Sequence, residues 1–329
     1  MSNSVKFGII GCGGFTRYHL RQFQSVPEAE ITALCDPDGA QIEACRGAFP
    51  ELRNVPDFRD FQDMVAAGGI DAVLVGTPHT LHLDQTLACL DAGLHVLVDK
   101  PLAMTAADCR DLIAARDRNG KVAAVSYQRH GLATFRYLRE EIASGRHGRI
   151  LGLNSHLTQQ WLQFTTGSWR QDPALSGGGM VGDSGSHMVD ILLWATGLRA
   201  DRVSSMMDFR GTPVDIDSVT SIAFEGGALG TLTVIGDACL WHERHHIWLE
   251  RAAFILEEQD LLIIDEQGRH MRVSHWPADL SPEQNFVDAI LRGAEVLAPF
   301  ECGLRTIELT QAAWTSAENG GAPVAVASL

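Results

Sequence analysis

Three separated segments carry residue types that could share one chemical task. Asp183 and His187 stand four residues apart, a spacing that places both on one face of a helix, and such a pair can hold and move a proton. Lys100 follows an apolar run and precedes Pro101, so it brings a positive charge to the end of a predicted strand. Residues 11–14 read Gly-Cys-Gly-Gly, a glycine-rich turn. A base, a cation and such a turn together favour oxidation of a hydroxyl group with a bound dinucleotide.

The glycine-rich turn lies between a predicted strand and a predicted helix. Gly11 would allow the tight turn, and Gly13 would let the backbone approach a pyrophosphate at the helix N-terminus, where N–H groups and the helix dipole favour anions. Asp36 ends the next predicted strand, where a carboxylate accepts hydrogen bonds from ribose hydroxyls and repels a 2'-phosphate. The sequence therefore predicts NAD as the cofactor, with NADP less favoured. Thr16 departs from the Gly or Ala that usually ends this motif.

Alternating short apolar runs and amphipathic segments predict a parallel sheet near the N-terminus. The predicted strands are rich in Val, Ile and Leu, as buried strands usually are, and cover residues 5–10, 30–35, 71–75, 94–98 and 121–126. The predicted helices cover residues 15–25, 60–67, 81–92 and 106–119. Strands and helices that alternate in this way form right-handed βαβ units. We therefore expect residues 1–125 to form an α/β domain with the doubly wound parallel sheet of Rossmann folds.

The rest of the chain, residues 126–329, has a different pattern. Strand-like residues 218–224 and 228–235 flank a Glu-Gly-Gly turn, which predicts an antiparallel pair. We expect this part to be a C-terminal α+β domain with an open, mainly antiparallel sheet.

A helix that carries Asp183 and His187 should end near Gly197. Gly182 and Gly185 weaken the start of this helix and suggest close approach by a flat ligand such as a nicotinamide ring. In the alternative interpretation, Asp183 caps the helix and His187 is a hydrogen-bonded core residue.

Charge and cysteine content narrow the classes of partner and compartment. The formal net charge of -15 repels phosphate backbones and anionic membrane surfaces, so we expect no nucleic acid partner. The seven cysteines are odd in number and scattered, without Cys-x-x-Cys, which favours free thiols in a reducing compartment. No apolar run approaches the roughly 18 residues of a membrane helix, and residues 1–4 show no charged or apolar segment typical of a signal peptide, so we expect none. We expect a cytoplasmic protein without a membrane partner.

Residues 242–246 match His-Glu-x-x-His, a pattern that binds zinc when it lies on a helix. Here the pattern lies between strand-like segments, where the period of two would not give the two histidines their helical geometry. We therefore expect no metal site.

An ordered set of motifs resembles the Gfo/Idh/MocA family, the glucose-fructose oxidoreductase and inositol dehydrogenase group: Gly11-x-Gly13, Asp36-Pro37, Thr77-Pro78 with His82, Asp99-Lys100-Pro101, and Asp183-x-Gly185-x-His187-x-x-Asp190. The resemblance covers essentially the whole chain. It implies a Rossmann domain that binds NAD(P), a C-terminal domain with an open antiparallel sheet, and homodimers or homotetramers formed through that sheet. The family's Glu-Lys-Pro lysine corresponds to Lys100, and Asp99 replaces the usual glutamate. His79 stands where the family often has asparagine.

The candidate residues fall into three groups. In the catalytic group, His187 takes the hydroxyl proton, Asp183 orients the imidazole or the substrate, and Lys100 stabilises the developing alkoxide. No metal is needed, since Lys100 supplies the positive charge. The expected cofactor contacts are Gly11, Gly13, Gly14, Phe15, Asp36, Thr77, Pro78, His79, His82 and Lys100. The expected substrate contacts are Lys100, Arg129, Trp161, Trp169, Arg170, Asp183 and His187.

Three functions remain open from the sequence. We favour a dehydrogenase that acts on a secondary hydroxyl of a sugar, inositol or related polyol. The substrate should be neutral, because the second domain has no lysine cluster to hold a phosphate. One alternative is a redox-neutral enzyme that uses tightly held NAD to cleave a glycoside. The other is a non-catalytic dinucleotide-binding sensor, against which the intact Lys100, Asp183 and His187 argue.

Overall fold

The computed structural model describes residues 4–326. The chain folds into two compact units. The outermost residues of the two predicted domains, 1–3 and 327–329, lie outside the described range. Unit 1 contains residues up to Gln128 together with Leu280–Gly303, and unit 2 contains Arg129–Asp279 and the residues from Leu304 onward.

Unit 1 is built on a parallel sheet of six strands. Its elements up to Gln128 are β1 (Val5–Ile10), α1 (Gly14–Phe23), β2 (Ala29–Cys35), α2 (Gly39–Ala48), β3 (Asp57–Phe58), α3 (Phe61–Ala67), β4 (Ala72–Val75), α4 (His82–Asp91), β5 (His95–Val98), α5 (Ala106–Asn119) and β6 (Ala123–Val125). The strand order is β3-β2-β1-β4-β5-β6, with every pairing parallel. The order reverses between β1 and β4, and ligands of such sheets bind beyond the carboxyl ends of the strands at this point.

Unit 2 is built on a mixed sheet. Its elements up to Asp279 are α6 (Ala133–Ala143), β7 (Ile150–Thr158), α7 (Trp161–Thr165), α8 (Pro173–Ser176), α9 (Ser184–Thr196), β8 (Ala200–Asp208), β9 (Asp217–Phe224), β10 (Leu229–Ile235), β11 (His242–Leu249), β12 (Ala252–Glu257), β13 (Asp260–Asp265) and β14 (His270–Val273). Three further elements, α10 (Pro282–Arg292), α11 (Phe300–Glu318) and β15 (Val324–Ala325), complete the described chain.

The nine strands of this sheet run in the order β14-β13-β12-β11-β7-β10-β9-β8-β15. Only β7 and β10 pair in parallel; the other neighbours are antiparallel. The expectation of two sheets, one parallel and one mainly antiparallel, is therefore confirmed. Helix α9 is buried along almost its whole length, since it packs into the hydrophobic core that this sheet covers.

The return of α10 to unit 1 differs from a simple division of the chain at residue 125. Phe286 and Val287 of α10 are fully buried in the core of unit 1, where the Phe286 ring centroid lies 6.1 Å from that of Phe7 in β1. The apolar side chains of an amphipathic helix do not reveal which of two cores they fill. From the sequence, α10 is therefore expected in the second domain together with the residues on either side of it.

Within residues 4–326, every helix is too short or too polar to cross a membrane.

Candidate active site

The turn after β1 presents main chain where a dinucleotide phosphate would lie. Gly11 has φ +85°, and a Cβ there would lie 2.8 Å from the carbonyl oxygen of Gly76, so only glycine fits. Gly13 is the N-cap of α1 and provides no side-chain acceptor to the first turn, and a Cβ on it would meet nothing within 4 Å. The open main chain at this helix N-terminus fits an anionic phosphate.

Thr16 is accommodated at the position where the dinucleotide motif usually has glycine or alanine. Its side chain is fully buried, and its hydroxyl lies 3.4 Å from the carbonyl oxygen of Gly76. A Cβ at Gly76 would lie 2.4 Å from the same hydroxyl oxygen. The absent side chain at position 76 therefore makes room for the extra atoms of Thr16, and α1 still packs closely on the turn after β4.

Asp36 is fixed at the end of β2 by main-chain donors. Its Oδ2 accepts a 2.8 Å hydrogen bond from the N–H of Cys12, and its Oδ1 accepts one of 2.8 Å from the N–H of Asp38. A carboxylate oxygen has more than one acceptor site, so both oxygens remain able to accept from hydroxyl groups. This arrangement fits the two hydroxyls of a ribose.

Two cations near this turn were not predicted from the sequence. Arg17 donates from Nη1 to the carbonyl oxygen of Cys12 at 2.8 Å, and Arg59 donates from Nη1 to the carbonyl oxygen of Asp36 at 3.4 Å. Arg59 directly follows β3, a strand of only two residues. Such a short strand gives no recognisable pattern, so the sequence does not reveal that Arg59 lies beside Asp36.

The segment after β4 holds several predicted cofactor contacts. The hydroxyl of Thr77 donates to Gln85 Oε1 at 2.6 Å. His82 is fully buried, with Nδ1 2.7 Å from the carbonyl oxygen of Pro101 and Nε2 3.0 Å from that of Thr77. Burial lowers the pKa of His82, so its ring is a neutral link between the ends of β4 and β5. His79 is also buried, with its ring centroid 5.9 Å from that of His82.

Lys100 lies just beyond the carboxyl end of β5 and is only 3% exposed. Its Nζ lies 5.7 Å from the ring centroid of Phe15 in the first turn of α1. The carboxylate of Asp99 accepts from the Lys100 main-chain N–H at 2.8 Å and from the Ser126 hydroxyl at 2.9 Å. Lysine is rarely buried to this degree, so its position beside the dinucleotide turn supports a functional role.

Asp183 immediately precedes α9 and does not cap it with its side chain. Its Oδ2 instead accepts 2.7 Å and 3.0 Å hydrogen bonds from Trp161 Nε1 and Arg170 Nε. His187 lies in the first turns of α9 and is 8% exposed. The helix begins one residue later than expected, at Ser184, and it ends at Thr196 with Gly197 as its C-cap, near the predicted position. The interpretation of Asp183 as a side-chain cap is therefore excluded.

The glycines beside this pair make room for other parts of the protein. A Cβ at Gly182 would lie 2.9 Å from the Trp314 ring, and one at Gly185 would lie 3.0 Å from the carbonyl oxygen of Met180. Internal packing by itself therefore requires glycine at both positions, and the approach of a flat ligand stays a prediction.

Asp215 holds the glycine-rich loop that leads to Asp183. Its carboxylate is buried and accepts from the N–H groups of Gly179 and Val181 and from Trp314 Nε1, at 2.9, 2.8 and 2.9 Å. Burial raises the pKa of Asp215, although the three donors oppose the change. No motif marks Asp215 or Trp314, because both act on a loop that is distant in sequence.

The remaining predicted substrate residues have partners within unit 2. Arg129 makes a two-pronged ion pair with Glu243, whose side chain is 4% exposed. Burial opposes ionisation of Glu243, yet Arg129 and His245 hold the pKa of that carboxyl well below its usual range. The guanidinium carbon of Arg170 lies 4.5 Å from the Trp169 ring centroid. Trp161 is only 2% exposed, so its ring is packed in the core while its N–H holds Asp183.

The His-Glu-x-x-His segment belongs to a strand. Residues 242–246 lie in β11, where Glu243 and His245 are buried and the histidines at 242 and 246 lie on the opposite face. Successive side chains of a strand alternate between its faces, so the two outer histidines share a face with Arg244 and not with the glutamate.

Two family models match this chain. Residues 5–127 match the oxidoreductase family with an NAD-binding Rossmann fold, and residues 135–254 match the GFO/IDH/MocA C-terminal domain.

Similar proteins include several dehydrogenases. D-glucoside 3-dehydrogenase of Escherichia coli (strain K12) is 26% identical over 86% of this chain and 80% of its own length. Inositol 2-dehydrogenase of Salmonella paratyphi B is 30% identical, with 45% of this chain and 44% of that protein aligned. An oxidoreductase domain protein from Kribbella flavida has the same fold, with a TM-score of 0.89, 24% identity, and 99% of this chain and 100% of that chain covered. A levoglucosan dehydrogenase in complex with NADH and levoglucosan gives a TM-score of 0.88 at 19% identity, covering 98% and 99% of the two chains.

Proposed function

This chain belongs to the Gfo/Idh/MocA family of oxidoreductases, and we propose that it oxidises a secondary hydroxyl of a neutral sugar, inositol or related polyol with NAD. The observation that carries this proposal is the state of Asp183. It is a buried carboxylate that is held by two donors, does not cap its helix, and lies one turn before His187. A carboxylate and an imidazole arranged in this way can accept a proton from a substrate hydroxyl.

The proposal gives each residue a separate task. His187 takes the hydroxyl proton, and Asp183, oriented by Trp161 and Arg170, holds the imidazole or a neighbouring substrate hydroxyl. Lys100 donates to the substrate oxygen as negative charge develops on it. NAD, when bound, supplies the acceptor for the hydrogen and electron pair of the carbinol carbon. The products are a ketone, NADH and a proton, and no metal takes part.

The residues proposed to hold NAD follow the ends of four strands of unit 1, β1, β2, β4 and β5. We propose that Gly11, Gly13, Gly14 and Phe15 hold the pyrophosphate, and that Asp36 accepts from the adenosine ribose. The segment after β4, with Thr77, Pro78, His79 and His82, would border the nicotinamide half of the cofactor. Lys100, which follows β5, would contact both the cofactor and the substrate.

Association of subunits is proposed for the outer face of the unit 2 sheet. Exposed apolar side chains lie on this face, with Met206, Val219 and Leu229 exposed by 70%, 43% and 65%. Apolar patches of this kind commonly mark interfaces, and the family forms dimers or tetramers through the corresponding sheet. Sedimentation equilibrium at micromolar concentration measures the oligomeric state directly, and a monomer would contradict the proposal.

A cytoplasmic location remains a proposal based on the free cysteines.

The substrate class can be tested with matched pairs of a sugar and its phosphate ester. We expect NADH formation with neutral sugars, aldosides or inositols, and a lower kcat/KM with each ester at low ionic strength. The reason is that Arg129 forms an ion pair with Glu243, and Arg170 forms one with Asp183. The positive charge of each guanidinium is therefore already balanced by a carboxylate and attracts a phosphate dianion less strongly. A consistent preference for the esters would overturn this assignment. Cleavage of a glycoside without accumulation of NADH would instead support the redox-neutral enzyme.

Cofactor preference can be tested at Asp36. The unmodified protein should bind NAD more tightly than NADP. Asp36→Ala should weaken NAD binding and improve NADP binding, so that the two dissociation constants become more similar. The carboxylate repels a 2'-phosphate, and its removal leaves Arg17 and Arg59 beside the site. Fluorescence titration of both cofactors measures the two dissociation constants. Asp63→Ala, which removes an exposed acid of α3, is the control and should leave the ratio unchanged. Tighter binding of NADP by the unmodified protein would contradict the proposal.

A further inference from the structure

A buried row of alternating charges in unit 1 ends at Lys100. Glu283 lies in the first turn of α10 and is completely buried. Its Oε1 is 2.5 Å from Nδ1 of His19 in α1, and Nε2 of the same imidazole is 3.8 Å from Asp99 Oδ1. That Asp99 oxygen accepts from the main-chain N–H of Lys100. The row therefore runs from Glu283 through His19 and Asp99 to the lysine.

His19 is positively charged in this setting. Burial disfavours its charged form, but the carboxylates of Asp99 and Glu283 outweigh burial and raise its pKa to about 10. The other titratable side chains on α1 are Arg17, Tyr18 and Arg21, and the ring centroid of Tyr18 lies 6.0 Å from that of His19. His82 and Lys100 are the other groups that act on the Asp99 charge. The N-terminus of α10 also favours the negative charge of Glu283.

We propose that His19 and Glu283 are positioning residues for the reaction at Lys100, with the imidazolium holding the Asp99 carboxylate against the Lys100 main chain. This inference rests on the proposed function. Asp99 and Glu283 would otherwise be two buried carboxylates without a cation between them, a costly arrangement that one of them would relieve by taking up a proton. A protonated Asp99 would become a donor and would lose its charge-assisted contacts to the Lys100 N–H and the Ser126 hydroxyl.

The chain provides a measurement of this effect that needs no substrate. It contains three lysines, at positions 6, 100 and 121, so a protein labelled with ¹³C at lysine Cε gives three resolvable NMR signals. We expect His19→Gln to shift the Lys100 signal and leave those of Lys6 and Lys121 in place. Glu283→Gln should shift it in the same direction by a smaller amount. An unchanged Lys100 signal in a folded His19→Gln protein would overturn the inference.

Kinetics then separate positioning from simple stabilisation. With the substrate that the sugar panel identifies, His19→Gln should lower kcat by about tenfold to a hundredfold, as loss of a supporting charged partner behind a functional residue typically does. The Kd for NAD should stay within threefold of the unmodified value. The double variant His19→Gln/Glu283→Gln should lose no more than His19→Gln alone, because the residues act as a unit.

A matched control and a separate outcome keep the two proposals apart. His147 also pairs with a buried glutamate, Glu141, at 3.0 Å, and His147→Gln should change neither the Lys100 signal nor kcat. If His19→Gln had the same kcat as the unmodified protein, the positioning role would be contradicted, but the proposed dehydrogenase activity would not. An unmodified protein that oxidises nothing in the panel would contradict the proposed function, and the lysine spectrum would still decide whether His19 controls Lys100.

Discussion

The variants His187→Ala and Lys100→Ala should each lower kcat by about 10²- to 10⁴-fold while NAD still binds. Loss of a positioned general base typically has an effect of this size, and loss of a single donor to a developing oxyanion costs about 10²- to 10³-fold. In the proposed mechanism, His187 accepts the proton and Lys100 stabilises the charge on the substrate oxygen. A water molecule that fills the space of either side chain cannot perform its function. Initial rates of NADH formation and a fluorescence titration of NAD measure the two quantities.

Asp183→Asn should also slow the reaction, for a reason visible in its contacts. The aspartate accepts from both Trp161 Nε1 and Arg170 Nε through one oxygen. The amide oxygen of an asparagine can still accept both hydrogen bonds, but the side chain loses the negative charge that supports proton uptake by His187. The effect should therefore appear in kcat rather than in the binding of NAD.

Matched controls exist for both residue types. Lys121→Ala replaces a lysine next to the C-cap of α5, and His275→Ala replaces an exposed histidine. Both should leave turnover unchanged. If the variants of Lys100, Asp183 and His187 all kept near-normal turnover, the catalytic residues would have to be others.

Local patterns in the sequence predicted the parts of the fold that depend on local chemistry. The range of β1 and that of α5 were both predicted to the residue, because a short apolar run before a glycine turn and a helix closed by Gly120 carry their own signals. Helix α2 and strand β3 were not predicted. The first consists mostly of small residues with only two buried side chains, and the second has only two residues, so neither gives a clear periodic pattern.

Long-range partners were the parts of the site that the sequence did not reveal. Glu283 lies 264 residues from His19, and Asp215 lies 36 residues from Gly179. Each is an ordinary acidic residue in its own segment, and its importance appears only when another segment folds against it. The motifs predicted which residues could do the chemistry, whereas the residues that hold them had to be read from three-dimensional contacts.

The substitution Gly179→Ala should be the most damaging single-methyl change in the loop before Asp183. A Cβ at this position would lie 1.9 Å from the carbonyl oxygen of Asp215 and 2.6 Å from its main-chain nitrogen. Both are backbone atoms, so no side-chain rotation relieves the clash. The segments are also tied together by the Met180 N–H, which donates to the same carbonyl oxygen at 2.8 Å. We expect a loss of about 3 kcal/mol in the free energy of unfolding, at the upper end for overpacking.

Urea unfolding followed by circular dichroism measures this loss, and Gly47→Ala provides the matched control. Gly47 lies inside α2, and a Cβ there would meet nothing within 4 Å, so alanine should stabilise the protein by about 0.5–1 kcal/mol through its better helix propensity. The same substitution then has opposite signs at two glycines, since one faces a neighbouring main chain and the other faces open space. Because the displaced loop carries Asp183, Gly179→Ala should also lose turnover at temperatures where it remains folded. Equal stability of the two variants would contradict the close approach of the Gly179 and Asp215 main chains, and with it the role of Asp215 in placing Asp183.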